Sequence, residues 1–160
     1  MHGEALVSAV ISVRRAYGEA VEGEALVMRE GFSPRYDLDR LTGVISRIGH
    51  SAEGMSIKDR ILVIPTVKGG VAGGWAFFDL VHKGIAPRAL VFGKLNPVMV
   101  QGAVLARMSV TEGWSQDLVA LVAQCDILRV DPAARTVTLV RRAPRQQGDF
   151  RFGPAQEPAR

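Results

Sequence analysis

The residues best suited to chemistry lie where an apolar strand gives way to an apolar helix: Val63-Ile64-Pro65-Thr66-Val67-Lys68-Gly69-Gly70-Val71-Ala72-Gly73-Gly74-Trp75-Ala76-Phe77-Phe78, with four glycines inside six residues and a single lysine. Glycine has no Cβ, so backbone there can approach a guest closely and adopt positive φ at little cost. The first turn of the following helix offers unpaired N–H groups and the positive end of the helix dipole. An ammonium beside such amides makes a seat for a carboxylate or phosphate; the plainer alternative is a tight strand-to-helix turn. The seat is not a nucleotide loop. A Walker A loop has its lysine after the glycine and a Ser or Thr following, whereas Lys68 precedes Gly69 and no hydroxyl follows. The GxGxxG dinucleotide fingerprint is absent too.

Two further clusters carry polar chemistry. Ser33-Pro34-Arg35-Tyr36-Asp37 places a hydroxyl, a guanidinium, a phenol and a carboxylate in five residues, and an arginine grips a carboxylate with two parallel hydrogen bonds. An ordinary polar loop is the competing reading. Asn96-Pro97 opens a helix on which Gln101 sits among apolar residues; a buried amide there needs partners. No Ser-His-Asp set or paired-carboxylate motif is visible. His2, His50 and His82 are scattered, and the lone Cys125 excludes an intramolecular disulfide. These features suit a partial active site that another polypeptide completes.

The positioning elements follow from hydrophobic pattern and turn residues. Val10-Val13 and Ala25-Met28 read as strands, Arg29-Leu41 as a loop, Thr42-Ser46 as a short strand and Ile61-Ile64 as a buried strand. Trp75, Phe78, Leu80, Val81 and Ile85 mark an apolar helix face, with Gly84 as C-terminal cap and Pro87 preventing continuation. Arg88-Phe92 is a second buried strand, giving a strand-helix-strand crossover between parallel strands. Asn96 caps a second helix whose buried side is Val98, Val100, Ala103, Val104 and Met108. Trp114-Ala123 reads as a shorter helical or irregular segment. Asp126-Val130 and Thr136-Val140 form a hairpin around Asp131-Pro132.

At 160 residues the chain is long enough for one domain with a real core. We divide it into a lead-in over 1–9, a domain over 10–143 and an Arg/Pro-containing tail over 144–160. No apolar run reaches the ~20 residues of a membrane helix, and the N-terminus lacks a signal-peptide pattern, so a cytoplasmic protein is expected. The net charge of +4 is concentrated late: seven arginines against three acids between Arg129 and Arg160. Without clustered lysines or RNA-binding signatures this reads as a solvated extension, and neither nucleic acid nor membrane is an expected partner. Gly3-Glu4-Ala5-Leu6-Val7 recurs as Gly23-Glu24-Ala25-Leu26-Val27, too short to be a repeat architecture.

In the region from Arg15 to Val140 the sequence resembles the small subunit, or swivel domain, of the aconitase X family. The resemblance rests on Gly23-Glu24-Ala25-Leu26-Val27, on Leu62-Val63-Ile64-Pro65 ahead of the glycine-rich loop, on Gly84-Ile85-Ala86-Pro87-Arg88-Ala89-Leu90-Val91 and on Asn96-Pro97-Val98-Met99-Val100-Gln101-Gly102-Ala103, in that order. It implies an α/β fold of the swivelling β/β/α type, a barrel-like mixed sheet with flanking helices. It implies a hydro-lyase subunit acting on small hydroxy acids such as cis-3-hydroxy-L-proline or a phosphorylated mevalonate. The iron or iron–sulfur centre would lie in a large partner subunit, with no cofactor in this chain. In such dehydratases the loop typically reads Gly-Arg-Gly-Ser, its serine serving as base. Here Lys68 takes the arginine position and Gly70 the serine position, so the catalytic residue of this chain is unassigned.

Substrate binding is therefore expected from Lys68, Gly69, Gly70, Val71, Ala72 and Gly73, with polar contacts from Arg35 or Gln101 and no metal ligand. Two other classes remain open at this point. One is a non-catalytic module for a small anionic metabolite, motivated by the missing hydroxyl at Gly70. The other is a purely structural partner.

Overall fold

The computed structural model of the chain describes residues 9–68, 72–95 and 97–144. Seven strands close into a barrel in the order β1-β7-β6-β5-β2-β8-β9. They are β1 (Ala9–Tyr17), β2 (Val21–Val27), β5 (Ile61–Thr66), β6 (Ala89–Lys94), β7 (Ser109–Trp114), β8 (Ile127–Asp131) and β9 (Thr136–Arg141). A separate ribbon pairs β3 (Leu38–Asp39) with β4 (Val44–Ile45). β2, β5, β6 and β7 run parallel as neighbours, and β1, β9 and β8 complete the wall with antiparallel pairs. The mixed barrel-like α/β architecture expected from the sequence is therefore present.

Parallel neighbours need crossovers. α1 (Ala72–His82) joins β5 to β6 and α2 (Pro97–Leu105) joins β6 to β7. Strand side chains alternate between two cores. Ala25, Val27, Ile61, Val63, Ala89 and Val91 point into the barrel, whose interior also takes Leu118 of the short helix α3 (Leu118–Leu121). Their neighbours Leu26, Leu62, Ile64, Leu90 and Phe92 point outward beneath the helices, against Phe77, Leu80, Met99 and Ala103. β5 and β6 are thus buried on both faces, which explains their unbroken apolar runs.

α1 ends as its sequence dictates. Gly84 takes φ +71, its N–H donates to the carbonyl of Val81 at 3.0 Å, and the Ile85 N–H reaches Leu80 at 3.1 Å, a Schellman closure.

Several expectations need correction. Ser109–Trp114 is the fourth parallel strand, a segment given no element above apart from Trp114, and Met108 packs just ahead of it rather than on the second helix. The segment 29–41 contains β3, and only Leu118–Leu121 of the region after Trp114 is helical. α1 buries Ala76, Phe77 and Leu80 and turns Trp75, Phe78 and Val81 outward, the reverse of the expected face for those three. α2 buries Met99 and Ala103, whereas Val98 is exposed. Both helices are apolar almost all round, so sequence pattern does not single out the buried side. The capping position Asn96 lies outside the described residues.

Candidate active site

The carboxyl ends of β2, β5 and β6 open on the same edge of the barrel, the edge at which open parallel sheets gather ligands. Beyond its last strand residue, β2 does not leave β5. Met28 N–H donates to the carbonyl of Val63 at 3.0 Å, Phe32 N–H to that of Thr66 at 3.1 Å, and Lys68 N–H to that of Phe32 at 3.0 Å. Phe32 and Val67 form a parallel bridge. Two loops distant in sequence, one bearing Arg35 and the other Lys68, are thereby fixed side by side.

Gly31 permits that approach. A Cβ built there would stand 2.9 Å from Cγ and 3.0 Å from Cε of Lys68, and 3.1 Å from Cγ2 of Thr66. The lysine stem lies along the glycine, and its ammonium end belongs to an exposed residue. Thr66 is in register with Lys94, the last residue of β6 and also exposed. Adjacent strands lie ~4.8 Å apart, so a third cation joins this edge. Sequence reasoning missed both Gly31 and Lys94; the signal for Lys94 is a lysine closing the apolar run Ala89-Leu90-Val91-Phe92.

The turn 33–37 sorts its polar residues into buried and exposed sets. Asp37 is fully buried, its Oδ2 accepting from the Ser33 N–H at 2.8 Å and its Oδ1 from Arg47 Nη1 at 2.9 Å. Its own N–H closes the turn onto the Ser33 carbonyl at 2.9 Å. Ser33 is buried as well. Both therefore hold the turn's shape, and the turn presents Arg35, whose guanidinium carbon lies 5.4 Å from the centre of the exposed Tyr36 ring. This stacking favours an arginine that keeps one orientation. Among the described residues, Arg35, Lys68 and Lys94 meet no carboxylate.

Just beneath, Glu30 Oε1 accepts from Ser51 Oγ at 2.6 Å and Ser51 N–H at 2.8 Å, and lies 3.0 Å from His50 Nδ1. Burial pushes the Glu30 carboxyl up, but the Ser51 hydroxyl and amide, with the nearby His50, outweigh it and hold its pKa below the usual 4.5. The cluster fastens loop 46–53 under the segment that seats Lys68.

Of the other expected site residues, Gly69, Gly70 and Val71 lie outside the described residues, while Ala72 and Gly73 open α1, whose first turn holds no acidic residue. Gln101 is exposed on α2, not buried, so the need for an internal amide partner disappears. Among the described residues no group of three or more His, Cys, Asp or Glu side chains is placed to hold a metal, so an iron centre has no donor set there. No helix there is long and apolar enough to cross a membrane.

A family model described as the aconitase X swivel domain matches residues 10–139. The chain is 28% identical over 129 residues to the phosphomevalonate dehydratase small subunit of Methanocella arvoryzae, covering 81% of this chain and 98% of that one. It is 36% identical over 93 residues to the protein of the same name from Thermococcus sibiricus, covering 58% and 72%. In three dimensions it resembles the crystal structure of Thermococcus kodakaraensis aconitase X (holo-form), with TM-score 0.75, 26% identity and coverage of 81% and 96%.

Proposed function

Because the chain belongs to the aconitase X swivel-domain family, we propose that it is the small subunit of a two-chain hydro-lyase. Its substrate is a small hydroxylated carboxylic acid, of the phosphorylated mevalonate type named for its relatives. The observation that carries this reading is the Phe32–Val67 bridge, which gathers Arg35 and Lys68 on one edge with Lys94 beside them. Three cations without carboxylate partners among the described residues suit a guest with two anionic groups.

Eliminating water removes a proton from the carbon next to the carboxylate and hydroxide from the following carbon. Lys68 and the amides of Gly69 to Gly73 bind the carboxylate and stabilise the negative charge that spreads onto it as the proton leaves. Arg35 and Lys94 take the second anionic group and fix the substrate's direction. The metal centre is assigned in this proposal to the large subunit, where it would supply Lewis acidity to the departing hydroxyl. Gly70 brings no hydroxyl, so the proton acceptor is assigned to the large subunit as well.

Co-expression with an aconitase X-type large subunit tests the reading. Both chains together should convert the hydroxy acid to its alkene acid, followed by proton NMR, and each alone should not. If no stable complex forms, or if the complex leaves the hydroxy acid intact, the reading is wrong.

A further inference from the structure

On the two-chain reading above, some face of this chain must meet the large subunit, and one face stands out. α1 and α2 pack against each other over the outer side of the sheet. A helix that only lines a core keeps polar residues outward. These two instead leave Trp75 (64% exposed), Phe78, Val81, Val98 and Leu105 (55%) facing solvent. With Tyr17 on neighbouring β1, they make up six of the ten large hydrophobic side chains exposed among the described residues. The aromatic part is ordered: Trp75 and Phe78 meet edge to face at 6.4 Å, and Phe78 lies 5.5 Å from the His82 ring.

The amount of surface matters. Aromatic side chains bury ~150–250 Å² each, so the exposed portions of these six residues come to on the order of 500 Å². That is near the top of the range for a patch on a free-standing monomer. It is also more than half of the ~800 Å² per partner in a standard interface.

A second observation points the same way. α2 also borders a cavity of about 350 Å³ that separates it from the paired strands β1 and β7, walled by Pro97, Val100 and Tyr17, with Glu112 contributing to it. Arg15 and Glu112 face each other across the strand pair. The Glu112 side chain is only 8% exposed. Its Oε1 accepts from Arg14 Nη2 at 2.9 Å, but its Oε2 is buried with no partner among the described residues. Buried carboxylate oxygens without a donor are costly and rare.

We propose that the large subunit docks on this face, from α1 across α2 to the Glu112 cavity, and that one of its hydrogen-bond donors enters the cavity to reach Glu112 Oε2. The face begins at the helix that follows the Lys68 loop, so the same contact would bring the large subunit over the cationic edge.

Calorimetric titration of the full chain into the large subunit tests the surface. Replacing Trp75 and Phe78 together (Trp75→Ser, Phe78→Ser) should raise Kd at least hundredfold while the circular dichroism spectrum is retained. Glu112→Gln, which puts an amide where a donor is to arrive, should raise it about tenfold. Arg129→Ser, an exposed position on β8 across the barrel from the strands that α1 and α2 cover, should bind like the unaltered chain. Unaltered binding by the double variant overturns the surface alone. So does light scattering in which the double variant loses self-association instead, since the face would then belong to a second copy. If the unaltered chain fails to bind the large subunit, the two-chain reading falls and this surface with it.

Discussion

The two ends of the parallel strands carry similar charges with different arrangements. At the amino ends, Glu22, Glu24 and Asp59 interleave with Lys58, Arg60 and Arg88 around a cavity of about 520 Å³. Arg60 Nη1 lies 3.6 Å from Glu24 Oε2, and it also approaches the carbonyl of Ala25 at 3.4 Å. Arg88 Nη1 donates to the carbonyl of Glu22 at 2.7 Å. At the carboxyl ends, the acids are turned away from the cations: Asp37 faces Arg47, and Glu30 faces Ser51 and His50. Arg35, Lys68 and Lys94 are left facing solvent together. A basic residue is available to an anionic guest only when the fold withholds its partner, which net charge does not reveal.

Substitutions at the two ends should separate these roles. The largest effect is expected from Asp37→Ala, which strands a buried N–H and the Arg47 guanidinium and should cost about 2–4 kcal/mol in urea unfolding; a loss under 1 kcal/mol would mean the turn holds itself. Gly31→Ala should come next, at about 1–2 kcal/mol, because the added methyl must displace the Lys68 stem. It should also raise KM of the two-chain enzyme, and an unchanged KM would show that the lysine's seat does not matter to binding. Arg60→Ala, at the paired end, should cost no more than ~1 kcal/mol and leave kcat/KM alone.

The smallest effect concerns pH. Glu30 has a folded pKa below 4.5, so its contribution to stability is present above about pH 4.5 and is lost as pH falls through the folded value. Glu30→Gln should therefore lower Tm at neutral pH and lose less than the unaltered chain on acidification, in thermal melts across that window. Parallel melting curves for the two proteins would contradict the assignment.

Much of this layout is legible in the residues. The crossover around Gly84 and Pro87, the hairpin at Asp131-Pro132 and the two fully buried strands follow from turn chemistry and apolar runs. β7 is hidden because Ser109, Thr111 and Glu112 are polar yet buried in a barrel wall, where closure decides their fate and local preference does not. Within the site, Lys68 and Arg35 can be singled out by type, but their proximity depends on a long-range bridge through Phe32 that no local pattern encodes. The opposite fates of Asp37 and Arg35, two residues apart, are likewise set by Arg47 ten residues on.

The most direct measurement is steady-state kinetics of the reconstituted two-chain enzyme carrying Lys68→Gln. Losing one charge-assisted contact to the substrate should lower kcat/KM by roughly 10–100-fold, with Lys68→Arg restoring much of it and complex formation unaffected. A Lys68→Gln enzyme with unaltered kcat/KM would contradict the assignment of this edge as an anion-binding half-site.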